Sequence, residues 1–519
     1  MSRRSATGTG VALAIALAAS LLGPARAEGI VLPPGFSDEF VAAVSLPTAM
    51  AWTPDGRLLV TTQSGRLRVV EEGALVPTPA LDYSDRICSN HERGMLGVAV
   101  HPEFGEGDNR FVYLYYTRRA PSGCPSAHTN PNAHLTPEAY PANVVARFVL
   151  RDDNVIDPAT ETALLDNIPS IWGTHNSGDL EFASDGSLYI SIGDSATGPW
   201  MRQLHRMVGK IARLNADGTV PADNPYAGRA DADRCNTGPT TAGRYCQEIF
   251  AWGLRNPFRI TFDPNAPSPR FFINDVGQHS FEEVNVGAAA ADYGWDRREG
   301  PCEYVSPGVD CSVPTPAGMT DPLFSYPHGP GFRDCAAITG GAFVPEELWP
   351  PQYNGIYLFS DYVCGTIFQL ETSGPASSTT FASNLGNWTA IDLAFGPDAA
   401  FGQALYYATH GNGGQIRKIS YAVGNRRPLA AFDAVQDGIA SLTYVLDASG
   451  SSDPDGDQIA AYEWDLDDGG NADGELVTHE YSAAENRTVT LRVRDEHGLW
   501  SQPTSVDIFP GNTPPGPEI

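Results

Sequence analysis

The chain has 519 residues, of which 42% are hydrophobic and 10% aromatic, so it is long enough for two or more domains with sizeable cores. This composition excludes wholesale disorder. The formal net charge of −29 argues against nucleic acids and anionic membrane surfaces as partners, because so acidic a surface repels phosphate.

Residues 1–27 predict a secretory signal peptide. Arg3 and Arg4 precede an apolar run over residues 11–22, and Ala-Arg-Ala at residues 25–27 is a small-x-small cleavage pattern. The run is too short to span a membrane, and no other segment approaches about 18 consecutive apolar residues. We therefore expect a secreted protein, periplasmic or extracellular, with no transmembrane segment.

The eight cysteines fit an oxidising compartment. The chain has no Cys-x-x-Cys pair and no zinc-type spacing of Cys and His. We expect each cysteine to pair with its neighbour along the chain and to staple a loop-rich segment, with buried free thiols as the alternative. The expected disulfides are Cys88–Cys124, Cys235–Cys246, Cys302–Cys311 and Cys335–Cys364.

A recurring sequence phrase predicts β-hairpins between about residues 33 and 419. An apolar residue and Phe or Trp precede a turn with Asp-Gly, and an alternating apolar strand follows, as at residues 50–61 and 180–191. Repeated hairpins with inserted loops are typical of propeller blades. No 3.6-residue periodicity is sustained, so few helices are expected. The sequence thus predicts an all-β chain with a six-bladed β-propeller over residues 28–423.

Residues 424–510 predict a second domain, a small immunoglobulin-like β-sandwich built from short alternating strands. This segment resembles the PKD domain through the Asp/Ser/Gly-rich stretch at residues 447–457 and through Glu-Trp-Asp-Leu-Asp-Asp-Gly at residues 463–469. The resemblance implies a spacer or a contact with a surface or a carbohydrate. Residues 511–519 are rich in Pro and Gly and predict a disordered tail.

Three alternating acidic residues of the sandwich, Asp453, Asp455 and Asp457, form a candidate calcium site, since calcium prefers carboxylate oxygens. A solvated acidic turn is the alternative. Trp464 is expected in the core of the sandwich, whereas Trp500 fits either the core or the surface.

Four polar stretches interrupt the strand pattern of the propeller, at residues 92–104, at 174–194, at 249–259, and at 274–285 continued by 292–300. They contain no phosphate-binding loop, no His-Glu-x-x-His and no Gly-x-Ser-x-Gly, which argues against nicotinamide, ATP, zinc-protease and serine-hydrolase chemistry. Taken in order, the stretches resemble the glucose/sorbosone dehydrogenase family. That resemblance implies a six-bladed propeller and a soluble sugar dehydrogenase with pyrroloquinoline quinone and calcium. Asp-Val-Gly-Gln and Thr-Gly-Gly indicate a branch shared with hedgehog-interacting-like propellers.

The resemblance implies four residues around the reaction. His175 matches the catalytic base, and Asp194 matches the carboxylate that fixes its tautomer and stabilises the imidazolium. Arg255 and Asn256 match the pair that faces the quinone, where a guanidinium stabilises the developing oxyanion. The alternatives are a structural hydrogen bond for His175 in a turn at the edge of a blade and a salt bridge between loops for Arg255.

The resemblance also implies a calcium site and a sugar contact. Gly277 and Gln278 occupy the positions whose backbone carbonyls bind calcium, and Glu282 falls where the family has an acid near the metal. Gln278 stands where Pro is commoner in the family. A surface turn with a solvated Glu282 is the alternative. Glu92 falls at a sugar-contact position where Gln is usual.

The chain departs from the family where the three carboxylates of the quinone are bound. The family lysine aligns near Val363, and the family arginine pair aligns with residues 388–392, which contain no basic residue. Burying carboxylates without cationic partners is costly. Arg297, Arg298 and Arg333 are the candidate substitutes.

These observations lead to three hypotheses. The first is an exported quinoprotein that oxidises the anomeric hydroxyl of an aldose to a lactone and passes the electrons to an external acceptor. The second is a non-catalytic secreted propeller that binds a glycan or a protein, which the missing cationic residues favour. The third is a calcium-dependent lactonase, which would need side-chain carboxylates on the propeller axis.

Overall fold

In a computed structural model of the protein, the described residues are 29–125, 140–329, 334–372, 374–421, 427–438, 441–453 and 455–511. The expected signal peptide, Arg333 and residues 512–519 lie outside these ranges. The described chain consists of β-strands, turns and single-turn 3-10 helices, without an α-helix. It has no helix with the length and apolarity needed to cross a membrane.

Six antiparallel sheets form the blades of the predicted propeller. Blade 1 contains β2 (Pro47–Trp52), β3 (Leu58–Thr62), β4 (Arg66–Glu71), β5 (Ala74–Leu75) and β6 (Leu81–Asp82). Blade 2 contains β7 (Met95–Val100), β8 (Phe111–Arg118), β9 (Ala142–Val149) and β10 (Thr162–Pro169). Blade 3 contains β11 (Ser177–Phe182), β12 (Ser187–Ile192), β13 (Lys210–Asn215) and β16 (Ile249–Trp252).

The second half of the ring has the same arrangement. Blade 4 contains β17 (Pro257–Phe262), β18 (Phe271–Asp275), β19 (Phe281–Val286) and β23 (Phe324–Pro327). Blade 5 contains β24 (Ile338–Phe343), β25 (Tyr357–Asp361), β26 (Thr366–Glu371) and β27 (Ser377–Ala382). Blade 6 contains β28 (Asp392–Asp398), β29 (Gly402–Thr409) and β30 (Gln415–Tyr421).

The first strand of the chain completes the last blade. β1 (Phe36–Ala43) pairs with β30, and Phe36 lies opposite Tyr421. This pairing closes the ring, because the outermost strand of blade 6 comes from the start of the described chain. The innermost strands of neighbouring blades, including those of the first and last blades, pack side by side around the axis.

Small sheets are inserted into two blades. Blade 3 carries the parallel pair β14 (Ala232–Asp233) and β15 (Tyr245–Cys246). Blade 4 carries three short strands, β20 (Arg298–Glu299), β21 (Cys302–Val305) and β22 (Gly308–Asp310). The four disulfides join Cys88 to Cys124, Cys235 to Cys246, Cys302 to Cys311 and Cys335 to Cys364, the pairing of neighbours that the sequence predicts.

The C-terminal segment forms two sheets. One contains β31 (Asp433–Gln436), β32 (Thr443–Asp447) and β35 (Leu476–Glu480), and the other contains β33 (Ile459–Asp465), β34 (Asn471–Asp473), β36 (Arg487–Asp495) and β37 (Thr504–Ile508). Alternate residues of β36 are buried, as expected for a sandwich strand with one face in the core.

Replacing Trp464 by Ala is expected to destabilise the sandwich by roughly 3–5 kcal/mol, because it empties a large core volume. Trp464 is fully buried, lies edge-on to Phe432 and donates its indole N–H to the Gly474 carbonyl. Hydrogen exchange of the β33 and β36 amides measures the loss. Trp500→Ala is the control, since Trp500 is half-buried beside Arg494; equal losses in the two variants would contradict the prediction.

Candidate functional site

A cavity of about 280 Å³ opens at the end of the propeller where the innermost strands begin. The innermost strands run away from this end and the second strands return to it, so the loops before β11, β17 and β24 and after β12, β18 and β25 all meet there. The cavity wall contains Thr48, Gln63, Glu92, Ser177, Asn256, Arg259, Thr339, Tyr362 and His410. A larger cavity of about 540 Å³ lies elsewhere, beside Trp52 and Tyr406.

His175 and Asp194 form a hydrogen-bonded pair beside the cavity. The distance from His175 Nδ1 to Asp194 Oδ1 is 2.7 Å, and the side chains are 15% and 3% exposed. Because a carboxylate only accepts, Nδ1 carries the proton and Nε2 keeps a lone pair. Trp295 donates its indole N–H to the other carboxylate oxygen, Asp194 Oδ2, at 2.8 Å. The arrangement can hold a proton acceptor in one tautomer.

The backbone around this pair is tightly constrained. His175 has a φ of 53°, in the left-handed region that is uncommon for residues other than Gly. A Cβ at Gly193 would lie 2.0 Å from the His175 carbonyl oxygen, so only Gly lets the two loops approach this closely. The Asp194 N–H donates to the Arg255 carbonyl at 2.8 Å, which ties this loop to the next blade.

Arg255 and Asn256 lie in the loop between β16 and β17. Asp275, at the end of β18, accepts both of their backbone N–H groups, at 3.0 and 2.7 Å. Burial raises the pKa of Asp275 well above its usual value. The Arg255 Nη2 lies 2.9 Å from His175 Nε2, and Asn256 Oδ1 accepts from the Ser177 hydroxyl at 2.9 Å. The structure therefore brings the four predicted reaction residues together.

The predicted calcium-binding loop, residues 276–280, connects β18 to β19. Glu299 is 1% exposed, and its Oε1 accepts the backbone N–H groups of Gln278, His279 and Ser280 at 2.7, 2.7 and 2.8 Å. No described residue donates to the backbone carbonyls of Gly277 and Gln278. Two carbonyl oxygens on an ordered loop are ligands of the kind that calcium prefers.

Glu282 and Glu92 have contrasting environments, the first buried and the second at the cavity wall. Glu282 is fully buried, and its oxygens accept from His328 Nε2 at 2.5 Å and from the Ile338 N–H at 2.9 Å. Burial raises the pKa of Glu282, although these hydrogen bonds oppose that shift. Glu282 Oε2 also accepts the Gly277 N–H at 3.3 Å, so this carboxylate adjoins the predicted calcium-binding loop. Glu92 is exposed at the cavity wall and accepts the His175 N–H at 2.6 Å.

The cavity floor contains a buried charge cluster on the propeller axis. Arg259 is 3% exposed and donates through Nε to Asp392 at 2.8 Å, with Asp179 at 3.9 Å. Burial raises the pKa of Asp179 to about 6 and raises that of Glu181 well above its usual value. The axial carboxylates that a lactonase would need for calcium thus surround an arginine, which argues against the lactonase hypothesis.

The quinone that the family resemblance implies would need a polar group at its reactive carbonyls and cations at its carboxylates. Around the reactive carbonyls, the side chain of Arg255 has no carboxylate within ion-pair distance in the described part of the chain, so its charge is available to an oxyanion. The wall from blades 5 and 6 is uncharged. His410 Nε2 lies 2.8 Å from the Pro47 carbonyl and Nδ1 lies 3.0 Å from the Tyr362 hydroxyl, and burial lowers the pKa of His410.

The candidate substitutes for the missing cationic residues do not reach this wall within the described chain. Arg298 is buried elsewhere, with Asp321 at 3.6 Å, and Arg297 is exposed. Arg333 lies outside the described residues. Arg255 therefore suits the reactive carbonyls of the quinone, whereas Arg259, the one arginine or lysine among the described residues that line the cavity, is already paired with Asp392.

The sequence did not identify Trp295, Glu299 or the Gln278 side chain as parts of the site. Trp295 is 101 residues from Asp194, and Glu299 is 21 residues from Gln278. Both belong to the stretch at residues 292–300 that was noted for its polarity. No local pattern shows which backbone or side chain they contact, because the contact depends on how the blades pack.

The acidic turn of the sandwich has the geometry expected from its sequence. Carboxylate oxygens of Asp453, Asp455 and Asp457 lie within 4.8 Å of one another, and Asp457 also lies within that distance of Glu496 and His497. Exposed acidic groups often cluster without a metal, so calcium binding here stays a prediction.

Comparison with known proteins places the chain among sugar-dehydrogenase-like propellers. The HIPL1 protein of Arabidopsis thaliana is 29% identical over 350 residues, covering 59% of this chain and 48% of that protein. The aldose sugar dehydrogenase YliI of Escherichia coli is 23% identical over 315 residues, covering 60% of this chain and 74% of that protein. The chain thus spans about half the length of the plant relative.

The fold has a counterpart among solved structures. The PQQ-bound aldose sugar dehydrogenase of Streptomyces coelicolor superposes with a TM-score of 0.54 at 19% identity, covering 75% of this chain and 99% of that chain. The family model of the PKD domain matches residues 425–509, and that of glucose/sorbosone dehydrogenases matches residues 44–417. Since the second match covers well over half of the chain, the protein belongs to the glucose/sorbosone dehydrogenase family.

Proposed function

We propose that this protein is an exported sugar dehydrogenase that oxidises the anomeric hydroxyl of an aldose to a lactone. The observation that supports this most directly is the pairing of His175 with Asp194 beside Arg255, at the edge of a cavity large enough for small ligands. Membership of the family supports the same reaction class.

The proton of the anomeric hydroxyl passes to His175 Nε2, the nitrogen with the lone pair. Asp194 holds the ring in this tautomer and stabilises the imidazolium, while Trp295 keeps the carboxylate in place. As the O–H bond breaks, the hydrogen on C1 leaves as hydride and the C1–O bond becomes the lactone carbonyl. Pyrroloquinoline quinone, when bound, supplies the two-electron acceptor, and an external acceptor then takes the electrons.

Arg255 and Asn256 provide the polar groups for the oxygen that gains negative charge. Calcium is proposed to bind the carbonyl oxygens of Gly277 and Gln278, because no described residue donates to them, with Glu282 as the acid near the metal. Glu92 is proposed to contact the sugar from the cavity wall.

Export is proposed from the signal sequence at residues 1–27 and agrees with the four disulfides. The PKD domain is proposed to mediate contact with a carbohydrate or a surface. The net charge of −29 supports small-molecule and surface partners over nucleic acid.

A titration of the purified protein with pyrroloquinoline quinone and calcium tests this proposal. We expect saturable changes in quinone absorbance, followed by reduction of an artificial electron acceptor when aldoses are added. Absence of binding at micromolar quinone would instead favour the second candidate, a non-catalytic propeller that binds a glycan or a protein. The uncharged wall formed by Tyr362 and His410 is the observation that favours that candidate.

Replacing Asp194 by Asn is expected to reduce kcat for sugar oxidation by roughly a thousandfold, because an amide can donate to His175 and favour the wrong tautomer. Steady-state kinetics with an aldose and an artificial acceptor measure the effect. Asp468→Asn is a matched control, since Asp468 forms a His–Asp pair of the same 2.7 Å length with His479 in the sandwich. Full activity in Asp194→Asn would contradict the assignment.

A further inference from the structure

The guanidinium of Arg255 is held in one position by the neighbouring loop. Its Nε and Nη2 donate to the Gln278 side-chain oxygen at 2.8 and 2.6 Å, and its Nη1 donates to the Val276 carbonyl at 2.8 Å. Nη2 carries two hydrogens, so the second points to His175 Nε2 at 2.9 Å. The Trp295 ring lies on one side, 5.7 Å from the guanidinium carbon. Loop 276–278 thus directs a donor at His175.

The Arg255 N–H binds His175 Nε2, the atom that must accept a proton in the proposed reaction. Asp194 fixes the proton of His175 on Nδ1, and Nε2 then has a single lone pair, which accepts from Arg255. While this hydrogen bond is present, a sugar hydroxyl has no lone pair to which it can donate. Arg255 must therefore turn away before His175 can accept a proton.

Gln278 is itself well anchored. Its backbone N–H donates to Glu299 Oε1 at 2.7 Å, and the same buried oxygen accepts the N–H groups of the next two residues. The orientation of its amide is fixed by chemistry, because only the oxygen can accept two N–H groups from Arg255. The Gln278 oxygen is thus a rigid acceptor that competes with any ligand oxygen for the guanidinium.

We propose that Gln278 is a positioning residue whose side-chain amide holds Arg255 on His175 Nε2 and so caps the base until Arg255 turns to an incoming ligand oxygen. The role of His175 as the base rests on the proposed function, whereas the capping contact does not. A ligand that brings an oxyanion or a carbonyl oxygen to Arg255 uncaps the base as it binds.

The rate of carbethoxylation of His175 by diethyl pyrocarbonate tests the capping contact without any turnover. The reagent transfers its ethoxycarbonyl group to an imidazole lone pair and releases ethanol and carbon dioxide, and mass spectrometry of peptides quantifies each histidine. We expect Gln278→Ala to accelerate modification of His175 about fivefold, as the loss of a hydrogen bond of ordinary strength implies. Gln278→Glu is expected to slow it, because a carboxylate holds a guanidinium more strongly.

Gln63→Ala is the matched control, since Gln63 lies in the cavity wall at the same end of the propeller but donates to the His91 carbonyl at 2.6 Å. Its His175 rate is expected to equal that of the unsubstituted protein. An unchanged rate in Gln278→Ala would overturn the proposal. So would a further increase when Gln278→Ala is added to Arg255→Ala, because Gln278 acts only through Arg255.

The same variants separate this proposal from the proposed function. If the unsubstituted protein oxidises no aldose but Gln278→Ala is modified faster at His175, the capping contact is supported and the dehydrogenase function is contradicted. If the unsubstituted protein oxidises aldoses but the His175 modification rate of Gln278→Ala is unchanged, the dehydrogenase function is supported and the capping contact is contradicted.

Discussion

Replacing His175 by Ala is expected to lower kcat/KM for aldose oxidation by roughly a thousandfold, the usual contribution of a positioned general base. The substitution removes the lone pair on Nε2 and leaves Asp194 with its hydrogen bonds from Trp295 and from the Ala196 N–H. The Asp194 loop should therefore stay in place, so the lost activity reports on the base itself. Steady-state kinetics with an aldose and an artificial acceptor provide the measurement.

The control is His479→Ala in the sandwich, which removes a histidine that is also paired with an aspartate at 2.7 Å. It is expected to keep full activity. If His175→Ala retained activity within a few fold, the base would have to be another group, and Asp194 would lose its proposed role as well.

The proximity of the four candidate reaction residues could be predicted because the motifs that resemble the family are local. His175 lies two residues before β11 and Asp194 two residues after β12, so the 19-residue separation places both at one end of a single blade. The hairpins could be predicted for the same reason, because Asp-Gly turns and alternating strands are short-range signals.

Contacts between blades could not be predicted in this way. The pairing of β1 with β30 joins the two ends of the propeller sequence, and no local pattern identifies the partner strand. Trp295 reaches Asp194 from the next blade, and the role of Gln278 depends on where Arg255 lies. The environment of Glu282 depends on the same packing. Its position in the motif predicts an acid near the metal, and the fold adds the contacts of its oxygens with His328 and with the Ile338 N–H, which no local pattern indicates.

Replacing Arg259 by Met is expected to destabilise the propeller by roughly 3–5 kcal/mol, the usual cost of removing one partner of a buried ion pair. Arg259 connects three blades, because it donates to Asp392 on β28 and to the Thr48 carbonyl on β2 while lying on β17. Its removal leaves Asp392 and Asp179 buried without a cation. Urea unfolding followed by circular dichroism measures the change.

The stability lost in Arg259→Met should depend on pH, and the sign of this dependence follows from the raised pKa values of the buried carboxyl groups. Burial already raises the pKa of Asp179 to about 6 and raises that of Asp392, and removing Arg259 raises both further. The folded state then binds more protons than the unfolded chain, so its stability falls as the pH rises through this range. Arg259→Met is therefore expected to lose more stability at pH 8 than at pH 5.

Arg110→Met is the matched control, because Arg110 pairs with Asp152 at 3.0 Å on the surface, where Asp152 is 82% exposed. Solvent screens such a pair, and its removal should cost at most about 1 kcal/mol with little dependence on pH. Equal losses in the two variants, or a loss for Arg259→Met that is larger at pH 5, would show that the axial carboxylates find another partner. A cation beside Asp179 and Asp392 would then have to replace the guanidinium. The metal content of purified Arg259→Met would show whether that cation is a metal ion.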